Sequence, residues 1–294
     1  MSMRVGTSGA SAWLTYLLMQ HGFIGLLLGY GLVAAAQAQS DPGDFATVIN
    51  VPPDVIGDFA ALEKNTQVNV LDGGQVGVVV GSNYNYDPNA NVEVNVYGGS
   101  IGEGFGVMGH GRVNILGGFI DLSAVFDSGI TVRMTGGTID TNLTLSGFDA
   151  PTAMFLEGGT VGAFLDIDQG ATLHFSGGSI GDKLEVFSGG RLNVIGSEFI
   201  IDGQPLTGLV DDQPFEITQR DGAVLSGTLL DGGSFAINLN ATNPSGEPLA
   251  DVFYGTALLT VTRSDQPPDP GDPGDPGDPG DPGDPGDPGD PGDP

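Results

Sequence analysis

Over its 294 residues the chain carries 51 glycines, only 8 lysines and arginines, and a formal net charge of −29. That balance argues against helical globular architecture, which has no use for so dense a supply of turn residues. It also argues against nucleic acid as a partner, because such binding needs basic side chains to displace counterions. There is no cysteine, so disulfide staples, thiol nucleophiles, iron–sulfur clusters and cysteine–zinc sites are excluded.

Residues 1–38 read as a targeting segment. Arg4 is the only charged residue before Asp41, an apolar stretch runs from Phe23 to Ala36, and Ala36-Gln37-Ala38 supplies an A-x-A cleavage site. The expectation is a cleaved signal peptide, with an uncleaved anchor as the alternative. Export places the mature chain outside the cell or on its surface, and contact with membrane comes only through export or an anchor not seen here. Residues 39–65 contain the strand-like piece Thr47 to Val51 and read as an N-terminal cap or imperfect coil.

The stretch 66–206 is repetitive. Glycine pairs begin at Gly73, Gly98, Gly117, Gly136, Gly158 and Gly177, with a degenerate Gly196-Ser197 after them. Four of the six steps are 19 residues; the other two leave room for loops. Four residues before each pair, from Gly98 on, stand Val94, Val113, Val132, Met154, Leu173 and Leu192. Two before it stand Val96, Ile115, Met134, Leu156, Phe175 and Val194. Between them lie Asn95, Asn114, Arg133, Phe155, His174 and Asn193, which gives the in–out–in alternation of a strand with one buried face. After the pair come Ile101, Ile120, Ile139, Val161 and Ile180, then pairs such as Phe105/Val107 and Leu184/Val186. Each repeat therefore reads as strand, Gly-Gly corner, very short strand, corner, third strand, corner. One coil alone buries too little to fold; stacked coils share hydrogen bonds and a continuous interior. The expected fold is all-β: a parallel, right-handed β-helix solenoid with coils of about 19 residues. The triangular hexad pattern of a left-handed helix is absent.

Residues 207–264 lose the period but keep alternating stretches between Gly, Asp and Pro turns, as expected of a small antiparallel β cap. Such a cover protects an otherwise exposed strand edge. Residues 265–294 run into an Asp-Pro-Gly repeat without apolar side chains, a disordered or extended acidic spacer.

Several local motifs dissolve into the repeat. The G-x-S-x-G strings at Gly98 and Gly177 occupy one repeat column, with Thr138 and Thr160 at sister positions, and lack the strand-to-helix turn of a nucleophile elbow. The G-x-G-x-x-G from Gly104 to Gly109 precedes no readable helix. GGSIGDKL near Gly177 is like a calcium-binding nonapeptide, but Asp182 is one position out of register. Two features remain as candidate sites. Asp166 and Glu185 share an outward column on adjacent coils, with Asp168 nearby; stacked carboxylates raise one another's pKa or share a cation, calcium being the candidate. Catalysis there would want a basic neighbour, for which Lys183 and Arg191 are the local candidates. The insertions at Ser82 to Ala90 and Phe148 to Pro151 follow the third strand, so Tyr84, Tyr86 and Phe148 are candidates for stacking on sugar rings or a partner surface.

The strings VNVYGGSIGEGF, VNILGGFIDL, VRMTGGTID, LHFSGGSIGDKL and LNVIGSEFIIDG resemble secreted Gly-Gly-[Ser/Thr]-[Ile/Val]-Gly repeat proteins of aquatic bacteria. The resemblance runs from about Thr66 to Thr262 and is more distant to pectate-lyase-type and adhesin-type β-helices. It implies a β-solenoid and export, and it carries over no catalytic residues. The functional expectation is a secreted or cell-surface structural or adhesive protein without catalytic activity. The alternative is a carbohydrate-binding or polysaccharide-degrading, lyase-like β-helix.

Overall fold

The computed structural model describes residues 45–82, 90–243, 245, 246, 248 and 251–265. The targeting segment, Tyr84, Tyr86 and the Asp-Pro-Gly tract lie outside them. The described residues form no helix: a 16-stranded and an 8-stranded sheet wrap one core as a β-solenoid of about seven turns. No helix among them is long and apolar enough to cross a membrane.

The hydrophobic columns are vertical ladders. Val94 pairs with Val113, Val113 with Val132, Val132 with Met154, Met154 with Leu173 and Leu173 with Leu192. All six are at most 1% exposed. Alternation explains this: a side chain every second residue faces inward, and a constant rung length stacks like on like. The second sheet does the same with Phe126 on Leu145 and Leu165 on Leu184. Phe105 and Phe126 meet edge to face at 6.0 Å between ring centroids.

The solenoid begins earlier than the clear glycine pairs. Thr47–Val51 pairs in parallel with Thr66–Val70 at the ordinary separation of 19, and Ile56 bridges Val76. The first described rung is thus a true coil.

Both glycines of the pair have a stacking reason. A Cβ on Gly136 would run into the Leu116 carbonyl of the rung below. Gly137 has φ +74°, and its Cβ would lie 2.5 Å from the Gly117 oxygen. The expected Gly-Gly corner is, in the later coils, a bend inside one strand: Ile130–Ile139, Thr152–Val161 and Ala171–Ile180 run straight through it, with a register shift there. The next corner uses a different device. Phe59, Val79, Gly104, Ser123, Asn142, Phe164 and Lys183 recur at the same rung position, all with φ between 53° and 78°. Successive rungs bond there, as when the Ser123 N–H donates to the Thr141 carbonyl.

At the C-terminal end the strand Arg191–Ile201 stacks on the solenoid only as far as Val194, then pairs antiparallel with Ala223–Leu229. That strand pairs in turn with Ser234–Leu239. The expected antiparallel unit is therefore present, but the chain afterwards rejoins the ladder. Val252 stacks on Glu185 and Leu258 on Arg191, a separation of 67 residues in both sheets. The antiparallel hairpin is an excursion from one long rung. Asp251 fastens its return: Oδ1 accepts the Leu184 N–H at 3.1 Å and Oδ2 the Asn238 N–H at 2.9 Å.

Candidate functional site

Two outward faces carry polar and aromatic chemistry. On the second sheet, the strand triplets Leu143–Leu145, Leu165–Ile167 and Leu184–Val186 bury their first and third residues and leave the middle one half-buried and facing outward. Thr144, Asp166 and Glu185 therefore form one outward column, with Asp166 in register with Glu185. The neighbouring column carries Asp127, Ser146, Asp168, Phe187 and Tyr254, fixed by rung bonds such as Phe187 N–H to the Ile167 carbonyl and Tyr254 N–H to that of Val186.

Electrostatics follow from that stacking. Burial, then the charges of Glu185 and Asp168, push the Asp166 carboxyl up to about 7. Burial and the nearby Asp127 raise Asp168 as well. The Tyr254 hydroxyl donates to Glu185 Oε1 at 3.0 Å. Its own pKa is pushed up to about 12 by burial and by that carboxylate. Tyr254 also stacks on Phe187 with centroids 5.0 Å apart and planes within 11°. A carboxyl that holds its proton up to about 7 beside a second carboxyl group sets a proton donor next to an acceptor.

The loop aromatic joins this face. Phe148 is 72% exposed, and its N–H reaches Asp127 Oδ1 at 3.5 Å. The two candidate bases do not converge on the acids. Lys183 places its ammonium 4.7 Å from the Phe164 ring centroid, and Arg191 stands on the other sheet. Among the described residues no three His, Cys, Asp or Glu side chains are grouped to hold a metal ion. Phe187 and Tyr254 were not among the residues singled out from the sequence. Period two alone places Phe187 outward, whereas Tyr254 joins the face only because the chain returns after a long excursion.

The other face, on the first sheet, begins as a ladder of asparagine side chains bonded from rung to rung. Asn69 Nδ2 donates to Asn50 Oδ1 at 2.9 Å, Asn95 Nδ2 to Asn69 Oδ1 at 3.0 Å and Asn114 Nδ2 to Asn95 Oδ1 at 2.8 Å. Higher up, Arg133 pairs with Glu157 at 3.0 Å. Phe155 and His174 stack at 4.7 Å, and Asn193 accepts from Thr260 and Thr262. Burial lowers the His174 pKa, and its Nδ1 is enclosed without a hydrogen-bond partner. No protein-family model, curated protein or solved structure matches this chain.

Proposed function

We propose that the chain is a secreted or cell-surface structural and adhesive solenoid without catalytic activity. The observation that carries this reading is the rung-to-rung bonding of outward polar groups. The Asn50–Asn69–Asn95–Asn114 ladder and the Arg133–Glu157 pair spend their hydrogen bonds on neighbouring coils. A face built this way stiffens a rod, because each amide is held by the one below it. The leader-like N-terminus and the acidic Asp-Pro-Gly tract fit export and display at a distance from a surface.

A second reading, a carbohydrate-binding or polysaccharide-degrading, lyase-like β-helix, is favoured by one observation: the stacked rings of Phe187 and Tyr254 stand beside the acidic column, with the Tyr254 hydroxyl bonded to Glu185. One experiment separates the two. Purified protein is incubated with acidic polysaccharides while ultraviolet absorbance reports unsaturated products. The structural reading expects a flat trace and retention of the protein on immobilised polysaccharide or cell-surface material. Steady growth of absorbance that Asp166→Asn abolishes establishes the enzymatic reading instead.

A further inference from the structure

The solenoid has a third side, and there it stops one strand short. Along it the N–H of Gly102 donates to Val76, Asp121 to Ile101, Asp140 to Ile120, Gly162 to Ile139 and Gly181 to Val161. Ile180 ends that series. The residue 19 positions on, Phe199, is carried off by Arg191–Ile201 to pair with Gly227. Ile101, Ile120, Ile139 and Val161 are at most 1% exposed, whereas Ile180 is only partly buried.

Facing this end stands Ser234–Leu239, the last strand of its sheet. The Leu239 carbonyl accepts from the Gly222 N–H on the paired side, while the N–H groups of Asn238 and Asn240 reach Asp251 on the other. Alternation along an antiparallel strand therefore turns the Ala236 N–H and carbonyl away from the partner strand. Between the two edges lies a cleft of about 390 Å³, within the range of ligand-binding cavities. Ile180 on the solenoid side and Ala236 and Ile237 on the hairpin side line it together with Asp251, while Phe175 and Phe235, also in the lining, meet edge to face with centroids 6.2 Å apart.

We propose that this cleft accepts an extended segment of a different, basic protein, added as a β-strand with an apolar residue between the two edges and lysine or arginine on either side. Strand addition to an exposed edge draws affinity from main-chain bonds and specificity from the alternate side-chain pocket. The Ala236 edge and the Ile180 end of the ladder supply the main-chain groups. Charge selects the partner. Asp182, Lys183 and Asp251 all line the cleft, but the Lys183 ammonium is engaged over the Phe164 ring, and the chain as a whole carries −29. A second copy of so acidic a chain is repelled, and a cationic segment is attracted. This capture role is separate from the structural one and does not depend on it.

The test uses a fluorescent eight-residue peptide of alternating lysine and valine, titrated into the whole protein and followed by anisotropy. The expected result is saturable binding. It weakens at least ten-fold when the peptide backbone is N-methylated, when glutamate replaces lysine, or when the protein carries Ala236→Pro, which removes an N–H on the free side of an edge strand. Hydrogen exchange on the unmutated protein, which needs no variant to fold, slows at Ile180–Leu184 and Ser234–Asn238 on addition of peptide. Absence of saturable binding overturns the proposal. So does binding indifferent to N-methylation, which marks mere charge attraction, or protection confined to other strands. Self-association through the cleft in place of peptide binding overturns it as well.

Discussion

Replacing Asp166 with Asn should make the protein more stable at neutral and alkaline pH while leaving it unchanged in acid. In the folded chain this carboxyl holds its proton up to about 7, chiefly through burial and then through Glu185 and Asp168. In the unfolded chain it ionises at 3.8. The folded state therefore binds more protons between those values, and stability falls as pH rises from 3.8 to about 7. A shift of about three pH units corresponds to about 4 kcal/mol. Because the carboxyl is partly open to water, screening reduces this to roughly 2 kcal/mol. Asn keeps the shape and cannot ionise. Urea denaturation at fixed ionic strength should therefore give equal stabilities near pH 3.5, a gap opening through pH 5 and 6, and a plateau of roughly 2 kcal/mol in favour of Asp166→Asn above pH 7. A gap that does not change with pH, or a wild type more stable at pH 8, would show that Asp166 ionises normally beside Glu185.

Four further substitutions probe the stacking and the hairpin's return to it. Gly137→Ala should cost roughly 3 kcal/mol, since it adds a left-handed penalty to a contact with the Gly117 carbonyl. Asn142→Ala, at φ +59°, should cost only about 1 kcal/mol from the same backbone penalty; equal costs in urea melts would remove the steric explanation. Phe126→Ala empties a fully buried position against Phe105 and should cost about 3–5 kcal/mol, measured in the same way. Asp251→Ala strips acceptors from Leu184 and Asn238. At about 1–3 kcal/mol for each orphaned donor, less the relief of a buried carboxyl whose pKa is raised mainly by burial, the net loss should be about 2 kcal/mol. Faster exchange at those two amides is the local signature; unchanged exchange would mean that the hairpin is held by other contacts.

What could be read in the sequence was whatever repeats in residue type. The inward ladder from Val94 to Leu192 is legible because burial accepts only apolar side chains, and a strand fixes their spacing. Asp166 and Glu185 are legible as neighbours for the same reason: both sit between inward pairs, 19 residues apart. What repeats only in conformation is hidden. Phe59, Ser123, Asn142, Phe164 and Lys183 share a left-handed backbone without sharing chemistry, because the stacked bonds at that corner belong to the main chain. The asparagine ladder is half visible. Asn95 and Asn114 fall in the column aligned on the glycine pair, whereas Asn69 stands 26 residues before Asn95 and Asn50 belongs to a rung without a glycine pair. The return of Val252–Phe253 and Leu258–Arg263 to the ladder is invisible, since the 67-residue separation erases the period. Tyr254, and with it the aromatic half of the acidic face, is lost to sequence reading for that reason.

Successive rungs lie one above another at fixed register, and a chain free of cysteine allows that to be measured by disulfide trapping. Thr172 and Arg191 are register partners on the outer face, as are Arg191 and Leu258 across the long excursion. Adjacent strands in a sheet lie roughly 4.8 Å apart, which a disulfide can span. Under mild oxidation the pairs Thr172→Cys with Arg191→Cys, and Arg191→Cys with Leu258→Cys, should each close rapidly within one molecule. The offset pair Thr172→Cys with Asn193→Cys should close far more slowly. Equal rates for in-register and offset pairs, or closure only between molecules, would contradict the stacked solenoid and everything built on its faces.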